Sequence, residues 1–561
     1  MTLLMALDIE TTGSRDVFTD RILLLSVVMS DGREYIFEDC PDWVLEAVID
    51  KDVIKLVHNA SFDLKLLQHN FGVVANNVWD TLAVERLLTS GKGLGCKLSD
   101  VVFRRLDRYM DKSVRGNFRF GIVGEKEKEY CLEDSRVLLP IYRQQKEEIE
   151  ANGQQKAAEL ESQMSIIVSD MELTGVGFDL PLWNKLYAIM QDKRNEVERE
   201  VLEALGVSCS VDLFGGFSNK SVSLTQRDKM LSLLTEIGVD LVDYRSETLQ
   251  EYTHTHSSDG AQIVSDILEF KQWDRALGWS YPDDVHPKTG RIHPHYNPQG
   301  ADTFRFISSK PNVQQVSAPF SDEVNFRHLF IAPKGRKIVG ADYNQIEFRA
   351  LSDVTGDKAY IKAYKEGLDL HAMAAEMVLG RRPKNKSERA LGKTLNFGVA
   401  AYGGGIPALR RTALNNGLFL SERQADKYLK KIRKKNVAIE RWGKLVTARM
   451  LRKGYIQTAI GHRRWLEGED RESVARNTEI QMLAAGIIKD AMYPLFIRLR
   501  KDFNNAKIVL QVHDELVIEC EEGEAQEAEK VLVEEMKCAG EKWLKSVPVE
   551  VDSYISQTWE K

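Results

Sequence analysis

KIVLQVHDELVIEC (507–520) sets two apolar strand patterns on either side of His513-Asp514-Glu515, which predicts a hairpin whose turn carries acids. A matching acid closes RKIVGADY (336–343). That strand pattern ends in Asp342 and runs into NQIEFRALSDVTG (344–356), which reads as a helix. Taken singly, His-Asp-Glu is an ordinary turn. Two acids at strand ends from distant segments instead suggest one metal site assembled by a sheet. Phosphoryl transfer needs that arrangement, because metal ions about 3.5–4 Å apart can clamp the attacking and leaving oxygens. Between the two segments, RALGKTLNFG (389–398) repeats Arg389, Lys393 and Phe397 every four residues, on one helix face. Two cations and an aromatic suit a nucleotide, the charges for its phosphates and the ring beside base or sugar. Read alone, the segment is a basic amphipathic surface helix.

The amino end holds a second acidic set. Asp8 and Glu10 lie in ALDIETTG at the end of an apolar run, and residues two apart on a strand share a face. Two carboxylates there repel and lose hydration, and a divalent cation offsets both costs. Asp63 follows in HNASFDLKLL (58–67). Asp134 lies in YCLEDSRVLL (130–139), one helical turn after Tyr130, so the two side chains address one site. Any one of these acids alone is more often a cap or a surface residue. Four acids and a tyrosine together are what a two-metal phosphodiesterase needs. One ion activates water, the other stabilises the leaving oxygen, and the hydroxyl orients the water.

With 561 residues, 43% of them hydrophobic, the chain is long enough for two to four domains. It has no run of 18 or more apolar residues, so no membrane span is expected. MTLLMALDIETTG lacks the basic start of a signal peptide. The six cysteines form no C-x-x-C pair, which argues against a zinc site or a disulfide framework and fits a reducing cytoplasm. The net charge of −7 runs against a nucleic-acid partner, but the cations are gathered over 381–393, 427–435 and 462–464. Such clusters are solvated helix faces or phosphate contacts that release counterions. LLMALDIE, RILLLSVVM and REYIFED read as strands. VWDTLAVERLLTS (78–90) and EYCLEDSRVLLPIYRQQKEEIE (129–150) read as helices, giving an α/β domain that ends near residue 150. The polar stretch ANGQQKAAELESQ (151–163) reads as a boundary or a linking helix. Residues 180–280 are mostly helical, interrupted at 214–223, and strands return after 330.

On these residues, the first 150 positions resemble the DEDD exonucleases of the tyrosine subtype, the proofreading domain of many DNA polymerases. Asp342-Tyr-Asn-Gln-Ile-Glu-Phe-Arg, Arg389 to Gly403 and Val512-His-Asp-Glu resemble motifs A, B and C of family A DNA polymerases, the bacterial polymerase I and bacteriophage replicase group. MELTGVGFD (171–179), KTGRIHPHYNPQGADTFRFISSKPNVQQ (288–315), GYIQTAIGHRR (454–464) and RNTEIQMLAAGIIKDAM (476–492) extend the likeness over nearly the whole chain. The resemblance implies a multidomain α/β and α+β protein. A ribonuclease H-like exonuclease domain over 1–150 would precede a right-hand polymerase domain over 151–561. That domain would have a helical thumb (180–290), an antiparallel-sheet palm (291–355 and 465–561) and helical fingers (356–460).

It further implies templated DNA synthesis from dNTPs with 3′–5′ proofreading, on primer-template DNA, by a monomer using two Mg2+ or Mn2+ ions per site. Asp8, Glu10, Asp63 and Asp134 would hold one metal pair, with Tyr130 beside them. Asp342, Asp514 and the Tyr343 carbonyl would hold the other, supported by Glu515. Lys393, Arg389 and His513 would contact phosphates and the primer end. Glu347 would exclude a ribose 2′-hydroxyl, and Phe397 and Tyr402 would stack near the incoming nucleotide and template. Arg305, Gln481 and Asn477 would touch the DNA. Two departures stand out. Phe304 replaces the glycine of a Thr-Gly-Arg triplet, and three residues rather than two separate Gly398 from Tyr402, a shift a π-bulge absorbs. The chain begins at the exonuclease pattern, so no 5′-nuclease domain is expected, and 180–290 leaves no room for a large processivity-factor insertion. The sequence specifies no helicase or clamp partner. A different reading keeps only a 3′–5′ exonuclease, its carboxyl-terminal half a DNA-holding module, and a third is a non-catalytic DNA-binding scaffold.

Overall fold

The computed structural model describes residues 3–14, 16–207, 222–316, 324–396 and 403–560. The first apolar runs form β1 (Leu3–Thr11) and β2 (Ile22–Met29). With β3 (Glu34–Phe37), β4 (Val53–Val57) and β5 (Val78–Asp80) they make a sheet of order β3-β2-β1-β4-β5. β1 pairs antiparallel with β2 and parallel with β4, and β4 is parallel to β5, the mixed sheet of a ribonuclease H-like domain. Among its helices are α1 (Ala60–Phe71), α2 (Thr81–Thr89) and α3 (Glu125–Arg136). The segment 78–90 is therefore not one helix. Asp80 accepts from the Leu82 and Ala83 N–H groups, so the helix begins only after it and Val78–Asp80 joins the sheet. The helix expected over 129–150 also breaks, at Val137. Pro140 has no N–H to offer the Arg136 carbonyl one turn back.

α4 (Gln155–Thr174) is followed by a layer of helices that includes Leu180–Ala204 and Asp259–Leu277, packed on each other. β6 (Arg336–Tyr343) leads directly into α5 (Ile346–Thr355). α6 (Lys386–Leu395) belongs to a helical unit with its own small core around Leu391, Leu395, Leu409 and Leu429. α7 (Glu472–Asp502), β7 (Lys507–Val512), β8 (Glu515–Glu521), α8 (Ala525–Trp543) and β9 (Val551–Ser556) complete the chain. β7-β8-β6-β9 form a wholly antiparallel sheet, and α8 packs on β6 and β9. Among the described residues α7 alone is long and apolar enough to cross a membrane, and its apolar surface is buried against α4, α8 and neighbouring helices.

α4 joins the two sheets, touching α1 and β5 on one side and α7 and β7 on the other. Its polar sequence conceals a buried helix, because the polar side chains pair. Glu161 Oε1 accepts from Lys489 Nζ at 2.6 Å and from His462 Nε2 at 2.7 Å, with all three side chains fully buried. Burial pushes the Glu161 carboxyl up, but the Lys489 ammonium beside it brings it below its ordinary value. A buried pair loses most when one partner is removed. Lys489→Met should cost about 3–5 kcal/mol in denaturant unfolding, and Glu161→Leu/Lys489→Met much less. An unchanged midpoint for the single variant would show that the pair does not hold the sheets together.

Candidate active sites

β1 is the central strand of the first sheet, and its alternation sends Asp8 and Glu10 to one face. α3 packs on β1 and β2 and brings Asp134 to the same place. Ligand oxygens of Asp8, Glu10 and Asp134 lie within 4.8 Å of one another, the one such carboxylate trio among the described residues. Asp63, on α1, is turned slightly aside: its Oδ1 accepts the Ile9 N–H at 3.0 Å, while the residue still lines the same cleft. Burial, then Asp134, Glu10 and Asp63, raises the Asp8 carboxyl well above its ordinary value. Glu10 is pushed up to about 7 by burial and then by Asp134. Desolvated carboxylates that repel each other fit a hard divalent cation, which oxygen ligands hold. Tyr130 is buried one turn before Asp134, its hydroxyl raised by burial and by the acids.

The cleft over these acids measures ≈ 1470 Å³, and part of its wall comes from the carboxyl-terminal half: Asn297, Gln299, Asp302 and Phe304. Gln299 Nε2 donates to the Ala83 carbonyl at 2.9 Å and Arg86 to Asn297 Oδ1 at 3.2 Å. The Trp465 N–H donates to the Ser90 carbonyl at 2.8 Å. Gly91, at φ +85°, has no room for a side chain, since a Cβ would lie 2.1 Å from the Trp465 carbonyl oxygen.

In the second sheet Asp342 pairs across β8 with Glu515 and across β9 with Asp552, so the three share a face. The Tyr343 N–H donates to the Asp514 carbonyl at 3.2 Å, which ties the end of β6 to the β7–β8 turn. Gly340 lies under the Tyr554 ring, and a Cβ there would sit 2.2 Å from it. That close approach lets the Tyr554 hydroxyl reach Glu515 at 2.9 Å, joined by Trp559 Nε1 at 3.1 Å. Glu515 is buried and pushed up to about 7, mainly by burial. Arg327 stacks over Trp559 at 4.5 Å and is near enough to Glu515 and Asp342 to feel both charges.

The family model for DNA polymerase family A matches residues 186–561, and one for a 3′–5′ exonuclease matches 3–150. The chain belongs to DNA polymerase family A. It is a DNA polymerase that carries a 3′–5′ exonuclease domain. It is 29% identical to DNA polymerase I of Aquifex aeolicus over 99% of this chain and 95% of that protein. It is also 29% identical to the thermostable DNA polymerase I of Thermus aquaticus, over 72% of this chain. It spans about half the length of that relative and of the Chloroflexus aurantiacus one (48% and 55%). The polymerase domain of Pol1 from M. smegmatis, solved with DNA primer-template and dNTP, superposes with a TM-score of 0.82. That comparison covers 99% of this chain and 95% of the other at 21% identity, a likeness of fold.

Other family A positions fall as follows. Arg389 and Lys393 are exposed on α6, and Arg389 pairs with Asp369 at 2.5 Å. Glu347, at the start of α5, is buried and ion-paired with Arg305. The Tyr343 ring turns into the core, its hydroxyl donating to the Met536 carbonyl at 2.6 Å, so only its backbone faces the acids. Asn477 and Gln481 lie on α7 in register with Ala485 and Ile488, which line a small cavity with Arg305, His513 and Asp514. Phe304 takes the glycine's place with a glycine's conformation, φ +59°. Its ring is only 2% exposed, 4.9 Å from His462 and 5.9 Å from Lys489, and this packing offsets the left-handed backbone. Phe397 and Tyr402, and with them the interval in which a π-bulge is expected, lie outside the described residues. Sequence reasoning missed Lys112, Arg327, Tyr554 and Trp559. For Lys112 a signal existed in the interleaved basic and aromatic residues of DKSVRGNFRF (111–120).

The raised Glu10 makes the metal-free cage sensitive to pH. A carboxyl whose folded value exceeds its unfolded one contributes its stability in full below the unfolded value, near 4.5, and loses it as pH rises through about 7. A divalent cation offsets that loss, so Mn2+ should raise the melting temperature more at pH 8 than at pH 6, by on the order of 2–4 °C. Glu10→Gln should shrink the difference. Equal shifts at both pH values would mean that no proton competes with the metal.

Proposed function

We propose that the chain extends a primer on a DNA template at Asp342 and Asp514 and removes mismatched 3′ ends at Asp8, Glu10, Asp63 and Asp134, an exonuclease of the tyrosine subtype. The observation that carries this is two separate acidic centres on two sheets, with a helix of exposed cations, α6, in the same chain as the second. Mg2+ or Mn2+, two ions at each centre, would neutralise phosphate charge and lower the pKa of the attacking hydroxyl or water. Primer-template DNA and a dNTP, present in the Pol1 structure, are the partners proposed here.

In synthesis the primer 3′-hydroxyl attacks the α-phosphate of the dNTP, a new P–O bond forms and the bond to pyrophosphate breaks. Arg389 and Lys393 hold the triphosphate, and Lys393 donates a proton to the leaving pyrophosphate. Glu347, buried beside the sugar position, leaves no space for a 2′-hydroxyl. Arg305, Asn477 and Gln481 touch the duplex near the primer end, and His513 steadies the terminus. In editing, a frayed strand enters the cleft between the two halves, Tyr130 orients a water, and the last phosphodiester is cut. Glu515 works from behind, holding the end of β8 through Tyr554 and Trp559.

Asp342→Ala should slow primer extension by about a thousandfold or more, the ~4 kcal/mol expected when a charged ligand is lost, and leave single-strand degradation near wild type. Asp8→Ala should do the reverse. Loss of both activities together in a folded variant would refute two independent centres.

A further inference from the structure

Two cations, Lys112 and Arg115, face the proposed exonuclease acids, and Lys112 is the one hydrogen-bonded to them. Lys112 enters from the irregular segment between the helix Leu98–Leu106 and α3. Its ammonium lies 2.9 and 2.8 Å from the two Asp134 oxygens and donates to the Tyr130 hydroxyl at 3.0 Å. An ammonium has three N–H donors, and these three partners use all of them. The Lys112 side chain keeps 29% of its exposure, whereas Asp134 keeps 7%, so the cation is held at the mouth of the site and the acid within it. Asp134 is also one of the three acids whose oxygens lie within 4.8 Å of one another. Both of its oxygens are therefore engaged by Lys112. Each oxygen keeps a second lone pair, but a divalent cation that takes one comes within a few ångströms of the ammonium, and the repulsion between the two charges loosens that contact.

We propose that Lys112 is a placeholder cation and positioning residue of the exonuclease centre. While the acids hold no metal, its charge balances Asp134 and its third N–H pins the Tyr130 hydroxyl. When Asp8, Glu10 and Asp134 hold a divalent cation, Lys112 yields one Asp134 oxygen and keeps the other, so the tyrosine stays oriented. This rests on the exonuclease reading above. A compact point charge suits the exchange; the planar fork of an arginine would grip both oxygens of Asp134 and yield neither readily.

Two opposed effects follow from removing the ammonium. A like charge leaves the neighbourhood of the metal position, so divalent binding tightens. The Tyr130 hydroxyl loses the ammonium and keeps only Asp134, so it is held less firmly and hydrolysis slows. A residue with a merely structural role would weaken both. The test uses the full chain without DNA and follows free Mn2+ by electron paramagnetic resonance, with Glu10→Gln identifying the exonuclease class of sites. Lys112→Met, and Lys112→Gln as a second variant should the first misfold, should bind that class about tenfold more tightly, the scale expected when one charge is removed a few ångströms away in a partly solvated site. Single-strand degradation at saturating Mn2+ should fall about tenfold, within the range of a misplaced hydrogen-bonding group. Lys112→Arg should bind Mn2+ no tighter than wild type. Unchanged or weaker Mn2+ binding in a folded Lys112→Met or Lys112→Gln chain would overturn the proposal, as would an unchanged hydrolysis rate. If the wild-type chain degrades no single strand yet the variants still tighten Mn2+, the exonuclease reading fails while the placeholder stands.

Discussion

Acids buried side by side repel one another, and much of this architecture serves to hold them there regardless. In the first sheet the central position of β1 fixes Asp8 and Glu10, and α3 lies across β1 and β2 so that Asp134 has nowhere else to point. Burial lifts all three carboxyls before their mutual repulsion is added. A loose scaffold would relieve that cost by spreading the acids. The strand ladder and the packed helix do not permit it, so the relief comes from protons, from Lys112 and Arg115, or from a metal ion. The strain is electrostatic and local, and the surrounding core of Leu7, Ile9, Val27 and Leu64 is what sustains it.

How much of this was legible in the sequence depended on whether a contact repeats with a regular period. Asp8 and Glu10 are two apart on a strand, and Tyr130 and Asp134 four apart on a helix, so both pairs could be placed from spacing alone. Asp342 and Asp514 followed from strand patterns that end in acids, and the antiparallel sheet joins their strands. Lys112 lies 22 residues before Asp134 in a segment without period, and nothing in its spacing points to a partner. The contact of Trp465 with Ser90 and the Tyr554 ring over Gly340 are likewise products of tertiary packing. The polar composition of 151–163 left a boundary and a linking helix both open; the structure has the helix, with Glu161 paired inside to Lys489 and His462. Composition reports solvent exposure only when polar groups lack buried partners.

Phe304 shows how a departure from the family pattern was accommodated. A glycine at that position adopts a left-handed backbone at little cost; a phenylalanine does so only if its ring is well packed. Here the ring sits on His462 and under Lys489, the same two residues that hold Glu161 of α4. The next residue, Arg305, pairs with Glu347. A continuous set of packed contacts thus runs from the helix between the sheets to the start of α5. Its physical effect is rigidity: the wall of the cleft over Asp8 and the start of α5 are fixed against the same helix.

The two acidic centres differ in how complete they are without substrate. Three carboxylates converge in the first centre, where burial pushes Glu10 up to about 7 and raises Asp8 and Asp134. In the second sheet, Asp342 and Asp514 lie half-buried at a strand end and a turn, while Glu515 is drawn away by Tyr554 and Trp559. Two carboxylates are a thin ligand set for Mg2+, which commonly completes its shell with water and substrate phosphates. On the proposed reading, the palm therefore gains its full charge only when a triphosphate arrives with its metal, and idle chemistry there is disfavoured. The exonuclease cage has the opposite problem, since its ligands converge before any strand enters. A lysine that must be partly displaced from Asp134 answers that problem, because it makes the metal-loaded state costlier to reach without abolishing it.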